Sequence, residues 1–364
     1  MRRPDPAAVR TGAPPARHDR GRASTDAVAV PRRWIRRPSC HSVLQPRDLP
    51  HASTAGSRRQ GDPAPACPPT CRRCHVTGVD HSAARAFAHC RDVTRSRARN
   101  FFYGLRLLPE PKRSALYAIY AWMREADDIV DDGRPHELEA FERSTADVLS
   151  GGTPPPGPLW TALAATASAW DLELQPFLDM IRGQRFDQDG QPVQTEDDLF
   201  EYCRRVASTV GLICIRIWGH VDPAAPALAV DRGIAFQLTN ILRDLGEDLS
   251  RGRCYLPADQ MKDCGIDAGD LASWRPSDRC HHLVRGWIEV AREHYERSRP
   301  LDAMIDSDSR PALWAMTTTY STLLSRIAAA PRRSVLGRRI RLSAARKAGI
   351  AVRARFGILR WDRT

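Results

Sequence analysis

Lysine is nearly absent from this 364-residue chain, which carries 3 Lys against 52 Arg. A bias of that size points to a GC-rich coding sequence, in which open frames extend upstream by chance. No run of eighteen apolar residues occurs. The nearest, 312–330, is interrupted by Thr317, Thr318, Thr319, Ser321, Ser325 and Arg326, so no membrane-spanning helix is expected. No apolar/polar alternation lasts long enough for a useful strand, which argues against a sheet. A glycine-rich dinucleotide fingerprint is missing, and so is the h-region of a secretion signal. Without export, the ten Cys are expected to be free thiols in a reducing, cytoplasmic compartment.

Charge is unevenly spread. Residues 1–80 hold 15 Arg, 6 Asp and 12 Pro with no Lys or Glu, and so account for +9 of the net +12. The basic excess belongs to this leader, and it gives no reason to expect a nucleic-acid partner for the rest. Such a segment cannot bury enough aliphatic surface to offset its ordering entropy, so disorder is expected. Proline at this density would break the amphipathic helix of a targeting peptide, and a solvated or anion-binding tail is a second reading. The preferred expectation is that the leader is not natively translated. Within it, Cys71, Cys74 and His75 have the spacing of a c-type haem attachment site with Cys67 nearby, but no core surrounds them and neither haem nor zinc is expected.

The informative residues lie further on, in two acidic clusters. Asp127-Asp128-Ile129-Val130-Asp131-Asp132 ends one helical pattern, and Asn240 through Asp248 ends another. In each, oxygen-bearing side chains recur every fourth residue (Asp127 and Asp131; Asn240, Asp244 and Asp248) and therefore stack on one helix face. Like charges so placed repel, which calls for a compensating cation. Magnesium suits the donor set, because it takes hard oxygen ligands from one or two carboxylates together with substrate phosphates. Arg124 precedes Asp127 by one turn, Arg243 sits beside Asp244, and Arg253 follows in a turn, so guanidinium groups flank both rows. Two rows facing a shared cavity would hold several Mg2+ ions around a diphosphate and help it leave. The bland alternative is a pair of solvated acidic helix faces.

Four segments then carry a resemblance: Asn100-Phe101-Phe102-Tyr103-Gly104; Arg113 to Arg124 leading into Asp127 and Asp131; Tyr202 to Ala207; and Gln237 through Asp248 to Pro257. In this order and spacing the chain resembles the squalene and phytoene synthases, head-to-head prenyl synthases, from about Arg97 to about Lys347. The resemblance implies an all-α, single-domain isoprenoid-synthase-type helical bundle around a central cavity, spanning residues 81–355 with a short tail at 356–364. It also implies Asp127, Asp131, Asn240, Asp244 and Asp248 as metal-binding residues, Arg124 as a diphosphate contact, and Gln237 and Asn240 as the lining of a second substrate site. Tyr202 matches a tyrosine near the reacting carbons, and Tyr320 a second one. Arg243, Arg253 and Phe101 are assigned to substrate binding. Arg97-Ala98-Arg99-Asn100 departs from the small polar residues many members carry there.

The implied reaction joins two prenyl diphosphates, farnesyl or geranylgeranyl, through a cyclopropylcarbinyl diphosphate. The run from Ala98 to Arg124 leans toward a bacterial squalene-type enzyme. NADPH is left open, since no fingerprint marks it and this fold would not require one. Alternatives are a head-to-tail elongase or cyclase of the same fold, and an inactive relative serving in assembly or lipid binding, although both acidic rows are intact. Helices are expected near 81–104, 111–131, 135–149, 159–170, 173–182, 196–219, 223–248, 277–299, 308–329 and 336–355, with a polar stretch at 183–194. Arg332 to Arg355 combines many Arg with Leu336, Ile340, Leu342 and Ile350, which suggests peripheral membrane contact.

Overall fold

The computed structural model describes residues 81–98, 101–190 and 192–359. All of these belong to the unit Arg72–Thr364. The leader, its Cys67, Cys71, Cys74 and His75, and also Arg99 and Asn100 lie outside the described residues.

Helices build the whole described body: α1 (His81–Arg97), α2 (Phe101–Leu105), α3 (Lys112–Asp131), α4 (Pro135–Leu149), α5 (Pro158–Trp170), α6 (Gln175–Asp189), α7 (Glu196–Cys203), a π turn (Arg204–Ser208), α8 (Thr209–Trp218), α9 (Ala225–Ser250), α10 (Ala258–Asp263), α11 (Ala268–Ser273), α12 (Ser277–Arg297), α13 (Leu301–Met304), α14 (Arg310–Ala329), α15 (Pro331–Leu336) and α16 (Ala344–Arg355). Among the described residues there is no strand, and the one β-type pairing is an isolated bridge between His220 and Ile305. Local sequence sets many boundaries. Proline occupies the first turn of α4, α5, α6, α9, α14 and α15, where its missing N–H has no helical partner to lose. Thr195 with Asp198, and Asp267 with Asp270, close reciprocal capping boxes that start α7 and α11.

Packing follows from the apolar faces. On α3, Leu116, Ile119, Trp122, Ala126 and Ile129 are buried. Trp122 is fully enclosed: it stacks on Phe141 at 5.6 Å, meets Phe177 edge-on at 4.8 Å, and donates Nε1–H to Thr145 Oγ1 at 3.0 Å. Truncating a side chain so placed costs about 3–5 kcal/mol. α3 packs on α6 and α8, while α9 packs on the π turn, α8, α12 and α14. Two glycines let α9 approach its neighbours. A Cβ on Gly233 would lie 2.5 Å from Ser208 Cα in the π turn, and one on Gly246 would lie 2.2 Å from the Val335 carbonyl oxygen of α15.

Several expectations are corrected. The helix expected over 81–104 is two helices, α1 and α2. The polar stretch expected at 183–194 is helical as far as Asp189, because Gln184 and Asp187 face inward to partners there, and α6 ends at Gly190, with φ +61°. The expected helix over 196–219 is interrupted by the π turn just after Tyr202; such bulges often sit beside functional sites. Of the single helix expected over 336–355, only Ala344–Arg355 forms, as α16; α15 ends at Leu336, residues 337–343 are non-helical, and Ser343 caps α16. No described helix is long and apolar enough to cross a membrane.

Candidate active site

The last two turns of α3 bring Asp127 and Asp131 onto one face, as their spacing requires. Arg124 lies one turn earlier, with Nη1 3.7 Å from Asp127 Oδ2 and Nη2 3.6 Å from Asp131 Oδ2. It also hydrogen-bonds Asp128, whose second oxygen lies 3.7 Å from Arg97. From α6, Gln184 donates Nε2–H to Asp127 Oδ1 at 2.5 Å. The surrounding protein pushes the Asp127 carboxyl up to about 7, chiefly by withdrawing water; Arg124 opposes this and the neighbouring Asp131 and Asp187 reinforce it. The side chain still keeps 37 % of its surface open, so it faces a cleft rather than a sealed core.

The second row runs along α9. Asn240 Nδ2 donates to Gln237 Oε1 at 3.3 Å, whereas its Oδ1 is buried with no hydrogen-bond partner. Arg243 holds Asp244 through Nε to Oδ1 at 2.8 Å and Nη2 to Oδ2 at 2.6 Å. Arg339, from the link between α15 and α16, reaches the same two oxygens, each at 2.6 Å. One turn on, burial raises Asp248 to about 6, with Asp244 and Glu247 adding to the effect and Arg251 and Arg253 opposing it. Tyr320, from α14, is buried against Arg243 and Asn240; desolvation raises its hydroxyl pKa and these two residues counter the rise.

Side chains from other helices connect the rows at both ends. At one end, the Asp187 carboxylate of α6 accepts from Tyr202 at 2.9 Å and from Tyr255 at 2.7 Å. The two rings stack at 4.9 Å. Burial raises Asp187, with Asp131 adding to the shift, while the two tyrosines and Arg253 lower it. Asp248 in turn acts on Tyr255. At the other end, Tyr120 of α3 lies within electrostatic reach of both Asp127 and Tyr320, and burial lifts its hydroxyl to about 12. Of the other residues expected from sequence, Arg253 acts on both Asp187 and Asp248, and Tyr320 packs against Phe101.

Beneath the polar rim is an apolar cavity of about 120 Å³, lined by Phe101, Met123, Val206, Phe236, Gln237 and Met316 among others. Phe101 stacks on Tyr320 at 5.2 Å, and Phe236 lies 4.8 Å from the same ring. Arg232 also lines the cavity, although it is only 3 % exposed. Its guanidinium is tied to Ser298 Oγ at 2.8 Å, Ser298 O at 2.9 Å, Asp302 Oδ1 at 3.1 Å, and Thr317.

Among the described residues, no three His, Cys, Asp or Glu side chains form a group able to hold a metal ion by themselves. The donors present nonetheless suit magnesium: all are hard oxygens, Asn240 Oδ1 is orphaned, and burial holds the Asp127 and Asp248 carboxyls above their ordinary range, which a bound cation would offset. Asp244 differs, since both its oxygens are already engaged by arginines. Gln184, Asp187, Tyr255, Phe236 and Arg339 were not anticipated as site residues. They come singly from other elements, where no spacing pattern marks them.

Comparison with known proteins agrees with this geometry. The family described as squalene/phytoene synthase matches residues 94–346. A 15-cis-phytoene synthase from Synechococcus elongatus is 36% identical over 262 residues, covering 67% of this chain and 84% of that protein. A phytoene synthase from Mycobacterium tuberculosis is 36% identical over 280 residues, covering 74% and 90%. Among solved structures, a dehydrosqualene synthase superposes with a TM-score of 0.71 at 31% identity, covering 76% of this chain and 97% of that one. The squalene synthase HpnC from Alicyclobacillus acidocaldarius gives a TM-score of 0.64 at 27% identity, covering 69% and 95%. With an all-α fold, two carboxylate rows about one cleft and a family match across most of the helical body, the chain belongs to the squalene/phytoene synthase family of prenyltransferases.

Proposed function

We propose that this protein condenses two allylic prenyl diphosphates head to head, with magnesium, through a cyclopropylcarbinyl diphosphate to a squalene- or phytoene-type hydrocarbon. The reading is supported by two carboxylate rows, Asp127/Asp131 on α3 and Asn240/Asp244/Asp248 on α9, each with its arginine, on helices whose Met123 and Gln237 line an apolar cavity together with Phe101 and Phe236. Bound at those oxygens, Mg2+ would neutralise diphosphate charge and lower the barrier to its departure.

The chain's own residues supply the remainder. Arg124 and Arg243 are planar, permanent cations aimed along each row, suited to phosphate oxygens. Asp187 orients the Tyr202 hydroxyl beside the site, and Tyr255 shares that carboxylate, so a proton near the reacting carbons has an ordered acceptor chain. Phe101 and Phe236 line the cavity and pack on the Tyr320 ring, where they would exclude water from an allylic cation and stabilise its charge. Twenty-carbon substrates are the favoured choice within this reading, because the relatives that match at 36% identity are phytoene synthases.

The test is incubation with farnesyl or geranylgeranyl diphosphate and Mg2+, with and without NADPH, followed by mass spectrometry of the products. Pyrophosphate release with a thirty- or forty-carbon product, lost in Asp127→Ala, is expected. A head-to-tail diphosphate, or a cyclised fifteen- or twenty-carbon product, would overturn the proposal in favour of an elongase or cyclase. No turnover of either substrate would favour the inactive relative.

A further inference from the structure

The apolar residues that first suggested membrane contact face inward: Ile340, Leu342 and Ile350 are buried, and of the four only Leu336 is exposed. A different set faces out. α16 packs on α14 and α2, burying Ile350 and Ala354. On its opposite side Ala345, Ala348, Gly349, Val352 and Phe356 recur at helical spacing, and all are exposed. Val352 is 55% exposed, Phe356 76%, and Ile358 just beyond the helix 49%. A helix that buries one face and offers a second apolar stripe to water has no reason in its own packing for that stripe.

The charge around the stripe is of one sign. Between Asp308 and Asp362 the sequence contains no acidic residue, while 331–355 holds eight Arg and one Lys. Arg346 and Arg355 are exposed on α16 itself, and Arg341 is exposed in the link that precedes it. On the other flank of α16, Lys347 shares a groove of about 840 Å³ with Arg91 and Arg95 of α1 and Arg106 of the turn after α2. Arg106 lies over the Phe102 ring and Lys347 over Tyr103. Apolar side chains ringed by cations match a bilayer carrying anionic headgroups, in which the stripe enters the acyl boundary and the guanidinium groups stay at phosphate level.

We propose that the outer face of α16, with Val352, Phe356 and Ile358 as its inserting side chains, docks this protein onto anionic lipid membranes. The inference does not depend on the catalytic reading, because its test measures partitioning and not turnover.

The full chain would be floated with vesicles of pure phosphatidylcholine and with vesicles containing one quarter phosphatidylglycerol, in low and high salt. Binding to the anionic vesicles that weakens with salt is expected. Val352→Ser/Phe356→Ser/Ile358→Ser should reduce partitioning at least ~10-fold, since three exposed apolar groups no longer leave water on docking. Arg346→Gln/Arg355→Gln should remove much of the preference for anionic lipid. Both variants change exposed side chains, so parental circular dichroism and melting are expected and any loss of binding is not loss of fold. Parental binding by the triple-serine variant would overturn the proposal and assign vesicle affinity to another surface, as would failure of the parent to bind. A dimer in light scattering that the same three serines convert to monomer would also overturn it, by showing that a second copy covers the stripe.

Discussion

Arg339 grips both carboxylate oxygens of Asp244, Nε to Oδ1 and Nη2 to Oδ2 at 2.6 Å each, the same two oxygens that Arg243 holds. Of the two arginines, Arg243 is the fixed one, its side chain 9% exposed on α9; Arg339 is 37% exposed and stands on the non-helical link. A divalent cation approaching Asp244 therefore competes with Arg339 first. Arg339→Gln is expected to lower the Mn2+ concentration needed for half-saturation, read by electron paramagnetic resonance. In the proposed reaction a guanidinium displaced by the cation would turn to a substrate phosphate, so the same change should reduce kcat/KM about tenfold or more.

Removing a carboxylate from either row should separate activity from stability. Asp127→Ala and Asp248→Ala are each expected to slow pyrophosphate release by about 10²–10³, the usual cost of losing one preorganised stabiliser of developing charge. Neither should lower the urea midpoint, because both carboxyls are held above their ordinary range by burial and so sit uneasily in the fold.

That elevation fixes a pH dependence. In the folded chain Asp127 keeps its proton up to about 7 and Asp248 up to about 6, whereas the unfolded carboxyls ionise near 3.8. Between these values the native state binds more protons than the unfolded one, so these groups make stability fall as pH rises from about 4 to 7. Asp127→Asn should flatten the upper part of that decline in urea titrations between those limits. Turnover should move oppositely, rising through pH 6–7 as the carboxylates ionise, with the limb shifting to lower pH at saturating Mg2+.

Tyr202 and Tyr255 converge on one acceptor and should couple. Each Tyr→Phe change removes one hydrogen bond to Asp187, worth about 1 kcal/mol. The double variant is expected to lose more or less than the sum of the singles, measured by a chemical-denaturation cycle. Additive losses would show that Asp187 holds the two hydroxyls independently.

Backbone contact at Gly246 ties the acidic end of α9 to α15, the helix immediately before the Arg339 link. Gly246→Ala would place a methyl 2.2 Å from the Val335 carbonyl oxygen. α15 must then shift, at a cost of about 1–3 kcal/mol in urea unfolding. Turnover should fall with it, because Arg339 moves with that segment.

The parts of this architecture legible in sequence are those written along single helices. Asp127 and Asp131 repeat at four residues on α3, and Asn240, Asp244 and Asp248 do so on α9, so each row could be placed before any coordinates. Gln184, Asp187, Tyr255 and Arg339 reach the cleft from other elements, and nothing in local spacing connects them to it. Polarity misled in the same way at 183–189: a stretch rich in Gln, Arg and Asp reads as solvated, yet its inward members find carboxylate and phenol partners on α3, α7 and the turn after α9. The reverse happened in α16, where Ile350 was visible as apolar but its direction was not.

The buried guanidinium of Arg232, braced by Ser298, Asp302 and Thr317, sets a fixed charge in the wall of an otherwise apolar cavity. An alkyl end driven against it would have to strand a charge among apolar atoms, which is far costlier than bending back. In the proposed reaction an alkyl chain entering this cavity would meet a charge held by four partners, so widening the aromatic walls would leave that side of the cavity as it is.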